Sequence, residues 1–152
     1  MARLNLLRAR ADKPSSTEAD GRRRVLLIDD ERDLCTLLQM ALEPRGYVVE
    51  AAHDGIEGWN RIEQSPPALV VLDIKMPKMN GYQLLARLQR DERTRDIPVV
   101  VFTSVTEGAP ELTEAEWAER LEVGAFIAKP SDPERVVDAV DRLLQPDPAA
   151  QG

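Results

Sequence analysis

Five short runs of uninterrupted apolar residues, separated by segments with helical spacing, constrain this fold more than any other feature of the sequence. The runs occupy residues 25–28, 47–49, 69–72, 98–102 and 125–128. Strands that are buried on both faces are continuously apolar, whereas strands with one wet face alternate between apolar and polar residues. The pattern therefore predicts an α/β fold: a single doubly wound five-stranded parallel sheet with helices on both faces, (βα)5.

The segments between the runs carry the signals of helices. A side chain able to cap a helix is followed three positions later by Glu or Gln in four of them, beginning at Asp54, Asn80, Thr113 and Ser131. In the second predicted helix, Trp59 shares the helical spacing of Ile56 and Ile62, which predicts core packing.

Composition and charge exclude several classes of protein. The chain has 152 residues and one cysteine, Cys35, so it has no internal disulfide framework. No apolar run reaches the length of a membrane span, and we expect a cytoplasmic protein without membrane contact. The net charge is −7, and the basic residues concentrate near the amino terminus. An acidic body repels phosphate backbones, so we expect no direct binding of nucleic acid.

The chain divides into three parts. Residues 1–22 predict a disordered basic N-terminal extension, residues 23–145 one compact domain, and residues 146–152 a flexible tail. Because so few residues follow the last predicted helix, we expect no output domain after it. The chain is then either a stand-alone protein or a domain excised from a longer one, and both readings stay open.

Polar side chains end four of the apolar runs. Asp29 and Asp30 follow the first run, Asp73 the third, Thr103 the fourth and Lys129 the fifth. The carboxyl ends of parallel strands lie at one edge of the sheet, so these groups can converge. Clustered carboxylates repel one another unless a cation binds, and an acid-rich pocket open to water suits Mg²⁺. A lysine and a hydroxyl beside the acids suit a phosphoryl group.

Four ordered motifs carry a resemblance to a known family. They span residues 25–31, 72–81, 98–104 and 124–130. Over about residues 24–145 the chain resembles the receiver domains of two-component response regulators, the CheY-like superfamily. The resemblance implies the strand order 2-1-3-4-5.

The resemblance implies a phosphoacceptor and a metal site. Asp73 would accept a phosphoryl group from a sensor histidine kinase or a histidine phosphotransfer protein. Asp29, Asp30 and Asp73 would hold Mg²⁺ together with the backbone carbonyl of Lys75.

It also implies a switch. Lys129 would neutralise charge on a phosphoryl oxygen, and Thr103 would bond to another oxygen once the aspartyl phosphate forms. Phe126 would change rotamer as Thr103 moves. The signal would pass to a downstream protein through the face formed by the fourth helix, fifth strand and fifth helix. Trp117 lies on that fourth helix, and its side chain can either contact a partner or be partly buried. A homodimer is also possible.

The receiver reading makes the chain a phosphoacceptor with self-catalysed phosphorylation and dephosphorylation, not a turnover enzyme. One alternative is a pseudo-receiver acting as a constitutive docking module, which the intact site residues argue against. A second is an aspartate-dependent phosphohydrolase, but the sequence from Asp73 to Lys75 lacks the second acid of that signature. Between Thr103 and Lys129 the chain is longer than is usual for the family, and we expect residues 106–110 to extend the loop before the fourth helix.

Overall fold

Each of the five apolar runs forms a strand, and all neighbouring strands pair in parallel. The strands are β1 (Arg24–Ile28), β2 (Val48–Ala52), β3 (Leu69–Leu72), β4 (Val99–Thr103) and β5 (Ala125–Ala128). Their order across the sheet is β2-β1-β3-β4-β5, as predicted. This is a computed structural model, and it describes residues 18, 20–76, 78–104 and 112–145.

Five α-helices alternate with the strands in the described part of the chain. They are α1 (Arg32–Leu42), α2 (Gly55–Gln64), α3 (Gly81–Arg90), α4 (Glu114–Leu121) and α5 (Pro133–Leu144). The predicted caps at Asp54, Asn80 and Thr113 each accept a hydrogen bond from the backbone three residues on. The fifth helix begins differently, because Asp132 caps it and Ser131 does not.

The core consists of two apolar layers, one on each face of the sheet. Leu38 and Leu42 of α1 share one layer with Val136 and Val140 of α5. Side chains of α2, α3 and α4 form the other layer, among them Trp59, Ile62, Leu84, Leu88 and Trp117. The sheet is therefore covered on both sides, which explains why its central strands are apolar throughout.

Two details of the structure differ from the sequence prediction. Strand β2 runs to Ala52, well beyond the predicted run, because it lies at the edge of the sheet and Glu50 can stay half-buried there. The carboxylate of Glu50 bonds to Arg24 and Arg61. Ile56 is 48% exposed, because the buried stripe of α2 consists of Gly55, Gly58, Trp59 and Ile62. The prediction of core packing is confirmed for Trp59.

Strand β5 forms the other edge of the sheet, and a side chain covers its end. The Glu114 carboxylate accepts a hydrogen bond from the backbone N–H of Ala128 at 2.9 Å. The same carboxylate pairs with Arg135 of α5. Glu114 therefore ties the start of α4 to both β5 and α5.

No helix among the described residues is both long enough and apolar enough to span a membrane. Most of the predicted N-terminal extension (residues 1–17 and 19), the predicted tail (146–152) and the long loop (106–110) lie outside the described residues.

Candidate functional site

Three carboxylates meet at the carboxyl edge of the sheet. Oxygen atoms of Asp29, Asp30 and Asp73 all lie within 4.8 Å of one another. Asp29 and Asp73 are 4% exposed, whereas Asp30 is exposed. Register explains the convergence, because β1 and β3 are neighbours and Ile28 pairs with Leu72, so the residues that follow them lie side by side.

The ammonium group of Lys129 lies among these acids. Its Nζ atom is 2.9 Å from Oδ2 of Asp29 and 3.5 Å from Oδ2 of Asp73. A third carboxylate, that of Glu31, is 3.1 Å away. Lys129 directly follows β5, which brings its charge to the same edge as the acids although it is far from them in sequence. The structure thus places together the three acids and the lysine that the strand-end pattern predicted.

The pKa values in the pocket are set by burial and by the charges of neighbouring groups. Burial raises the pKa of Asp29 to about 6, and the nearby Asp73 charge adds to the rise, although Lys129 and the backbone N–H of Glu31 oppose it. Burial by itself would lower the pKa of Lys129, but the hydrogen bond and charge of Asp29, with the charge of Asp73, raise it overall. Both pKa values are therefore raised: Lys129 is surrounded by three acids, whereas Asp29 is buried and lies beside one cation and a second anion. A divalent cation fits this donor set of oxygens.

The turn after β3 holds Asp73 in place. The backbone N–H of Lys75 donates to Oδ1 of Asp73 at 3.1 Å, and the N–H of Gly81 donates to the carbonyl of Ile74 at 2.9 Å. A Cβ atom on Gly81 would lie 2.4 Å from Cα of Ile74 and 2.5 Å from the carbonyl oxygen of Asp73. The start of α3 therefore touches the Asp73 backbone so closely that only glycine fits.

The two predicted switch residues lie on neighbouring strands. Thr103 is the last residue of β4 and is fully buried, and its carbonyl accepts the N–H of Lys129 at 2.8 Å. Phe126 lies in β5 opposite Val101 and is 5% exposed. The Phe126 ring stacks on Trp117 of α4, with ring centroids 5.4 Å apart and planes inclined by 14°. Of the two readings for Trp117, the structure favours burial.

Three further residues border the pocket, and their positions in the sequence predicted no role there. Besides Glu31, Nδ1 of His53 lies 3.1 Å from the backbone carbonyl of Asp29. The ring of Phe102 lies 5.4 Å from Nζ of Lys129. The strand-end pattern would point to His53 only once the full length of β2, to Ala52, is known. Phe102 lies inside an apolar run, so no such signal was available for it.

A doubly wound parallel sheet with an acid-and-lysine pocket at its carboxyl edge matches the architecture of receiver domains. The family model for the response regulator receiver domain matches residues 25–141. The chain belongs to this family. Receiver domains bind Mg²⁺ in general, and an acidic cluster of Asp29, Asp30 and Asp73 is present in this chain.

Among curated relatives, the chain is 36% identical to the DNA-binding dual master transcriptional regulator RpaA of Synechocystis over 124 residues, which cover 80% of this chain and 49% of RpaA. It is 31% identical to Protein PilH of Pseudomonas aeruginosa, over 80% of this chain and 97% of PilH. The chain therefore spans about half the length of regulators such as RpaA, but nearly all of PilH.

Solved structures show the same fold. The Vibrio cholerae chemotaxis protein CheY4 superposes with a TM-score of 0.69 at 22% identity, covering 82% of this chain and all of CheY4 (100%). The N-terminal domain of a response regulator receiver protein from Methanoculleus marisnigri gives a TM-score of 0.61 at 31% identity, covering 82% of this chain and 98% of that domain.

Proposed function

We propose that this receiver accepts a phosphoryl group on Asp73 from a sensor histidine kinase or a histidine phosphotransfer protein. The observation that carries the proposal is the position of Lys129, whose ammonium group contacts both Asp29 and Asp73 at the sheet edge. A lysine that spans two buried acids can neutralise an anion that arrives between them.

In the proposed reaction a carboxylate oxygen of Asp73 attacks phosphorus, and the bond between phosphorus and the donor histidine nitrogen breaks. Both reactants are anionic, so the attack requires positive charge at the site. Lys129 supplies part of that charge and holds a phosphoryl oxygen. The N–H of Lys75, which already bonds to Asp73, orients the attacking carboxylate.

The residues that would hold Mg²⁺ are Asp29, Asp30, Asp73 and the backbone carbonyl of Lys75. When bound, the ion would offset the repulsion between the carboxylate and the incoming phosphoryl oxygens. The fit rests on the donor set, since three carboxylates lie within 4.8 Å of one another and the acidic cluster exceeds the single lysine charge.

Signalling would follow from a change at Thr103 and Phe126. We propose that Thr103 bonds to the phosphoryl group and that Phe126 shifts with it, altering the face formed by α4, β5 and α5. A downstream protein, or a second copy of the chain, would recognise that face.

We assign residues 23–145 to the receiver unit, expect it in the cytoplasm, and expect no direct contact with nucleic acid or membrane.

The test is incubation with Mg²⁺ and acetyl phosphate, followed by intact mass measurement. We expect one labile phosphate on the native chain, none on Asp73→Asn, and undiminished labelling of the control Asp91→Asn, whose carboxylate lies outside the pocket. We also expect slower labelling of Lys129→Met. No label on the native chain would instead support a constitutive docking module, and continued release of phosphate over many turnovers would support a phosphohydrolase.

A further inference from the structure

A surface groove lies between α2 and α3, and none of the residues that line it belongs to the acidic pocket. Its volume is about 740 Å³. The apolar part of its lining includes Ile56, Trp59 and Met79. Ile56 is 48% exposed, while Trp59 is 5% exposed. The groove therefore offers water-accessible apolar surface beside a fixed aromatic ring.

The charge of the groove is opposite to that of the whole chain. The chain carries −7. The groove is lined by four cationic and two acidic side chains, namely Lys78, Arg87, Arg90, Arg93, Glu63 and Asp91. A basic groove on an acidic protein attracts an anionic partner locally, although the rest of the surface repels one.

Two of these cations are available to a partner. The guanidinium of Arg93 is already 2.8 Å from Asp91 and 3.7 Å from Glu63, and Nζ of Lys78 is 3.4 Å from Asp54. Arg87 instead stacks over the ring of Trp59, 4.6 Å from the ring centroid. Neither Arg87 nor Arg90 forms an ion pair with any carboxylate in the described part of the chain. Arginine binds carboxylates with two parallel hydrogen bonds, so Arg87 and Arg90 can each bind one carboxylate of a partner.

We propose that this groove binds an acidic peptide segment of a partner protein that carries a large apolar side chain. The apolar side chain would pack on Ile56 and Met79, and flanking carboxylates would pair with Arg87 and Arg90. The inference does not depend on phosphorylation at Asp73.

The contact between α2 and the loop before α3 makes the groove a formed site. A Cβ atom on Gly55 would lie 2.1 Å from the backbone oxygen of Met79, so helix and loop are in direct contact. Lys78 has a positive φ of 61°, a conformation that costs a non-glycine residue free energy and is found at binding sites. A formed site loses less conformational entropy when a ligand binds.

The experiment uses the full chain and a fluorescein-labelled synthetic peptide in which leucines are spaced between glutamates, with fluorescence anisotropy as the readout. We expect the double variant Arg87→Ala/Arg90→Ala to bind the peptide about a hundredfold more weakly, about tenfold for each of the two charge-assisted contacts that it removes. Ile56→Ser should weaken binding several-fold. The matched control is Arg120→Ala/Arg142→Ala, which removes the same charge from α4 and α5 and should change little.

Further variants and probes keep the proposal falsifiable. Arg90→Ala alone removes an exposed side chain and should weaken peptide binding without altering urea unfolding, while Asp73→Asn should bind as the native chain does. Four results would overturn the proposal: equal weakening by the control pair, unchanged binding of a peptide with serine in place of leucine, equal binding of single-stranded DNA, or self-association in sedimentation that Arg87→Ala/Arg90→Ala abolishes.

Discussion

At the scale of single residues, the acidic pocket holds a buried carboxylate whose ionised form lowers the stability of the fold. Because Asp29 is almost fully buried, its pKa is raised to about 6, so its ionised form is disfavoured in the folded chain. The positive charge of Lys129 only partly offsets the negative charge of Asp29, because Lys129 also contacts Asp73. Functional sites often keep a buried ionisable group that destabilises the fold when no ligand is bound.

This charge predicts a pH dependence of stability in the absence of divalent cations. Between the ordinary carboxyl pKa of 3.8 and the folded value of about 6, the folded state binds more protons at Asp29 than the unfolded state. The contribution of Asp29 to the free energy of unfolding therefore decreases as pH rises through this window. In EDTA at pH 7, Asp29→Asn should be more stable than the native chain by about 1–3 kcal/mol.

Urea unfolding at a series of pH values measures this difference. The advantage of Asp29→Asn should shrink as pH falls and vanish below about pH 4, the ordinary carboxyl value. Asp30→Asn is the control, since Asp30 is exposed and its replacement should have a smaller effect. An Asp29→Asn variant less stable than the native chain at pH 7 would contradict the prediction.

At the scale of elements, close backbone contacts fix the helices relative to the site. Gly81, the first residue of α3, abuts the backbone of Ile74 and Asp73. Gly58 in α2 faces the side chain of Ile28, where an added Cβ atom would lie 2.7 Å from Cδ1 and 3.1 Å from Cγ1 and Cγ2. A side chain can rotate away from an added methyl group, whereas a backbone segment must shift as a whole.

Gly81→Ala should therefore lower the free energy of unfolding by about 2 kcal/mol or more. It should also slow the labelling of Asp73 by acetyl phosphate. Gly58→Ala serves as the matched variant, with a smaller loss because alanine favours a helix and Ile28 can adjust. Urea unfolding and intact mass are the measurements, and equal losses from both variants would count against the backbone explanation.

The stack of Trp117 on Phe126 joins α4 to β5. Both rings are buried and nearly parallel, so part of their interaction should exceed simple apolar burial. A double-mutant cycle with Trp117→Leu and Phe126→Leu should give a coupling energy of about 0.5–1.5 kcal/mol. Urea unfolding of the four proteins measures it. A coupling near zero would mean that Phe126 can move independently of α4.

At the scale of the whole molecule, the sequence predicted the architecture because burial on both sheet faces produces continuously apolar strands. It predicted the convergence of Asp29, Asp73 and Lys129 because parallel strands end at one edge. It did not predict the full length of β2, since polar residues such as Glu50 are tolerated only because that strand is at the edge.

Side-chain contacts between elements were harder to predict. The burial of Trp117 could not be decided from the spacing on α4 alone, because its partner Phe126 lies on a different element. The ring of Phe102 under Lys129 gave no sequence signal either. Periodicity reports which face of an element is buried, but it does not report which residue of a neighbouring element meets that face.

The proposed metal site predicts a stabilisation of the whole fold by Mg²⁺. A ligand that binds only the folded state raises the free energy of unfolding, by about 1.4 kcal/mol at ten times its Kd and about 2.7 at a hundred times. We expect thermal unfolding to shift upward with Mg²⁺ in the native chain. The shift should be lost in Asp30→Asn/Asp73→Asn, and persistence of the full shift there would contradict the assignment.

Glu114 has a consequence for how the sheet meets other chains. Exposed edge strands invite strand addition and aggregation, because their unpaired N–H groups can bond to a foreign backbone. At β5 the terminal donor, the N–H of Ala128, is already used by Glu114, and at β2 the edge carries Glu50 with its two arginines. A strand from another chain that paired with β5 would first have to displace the ion-paired carboxylate of Glu114. This requirement disfavours growth of the sheet by successive addition of strands.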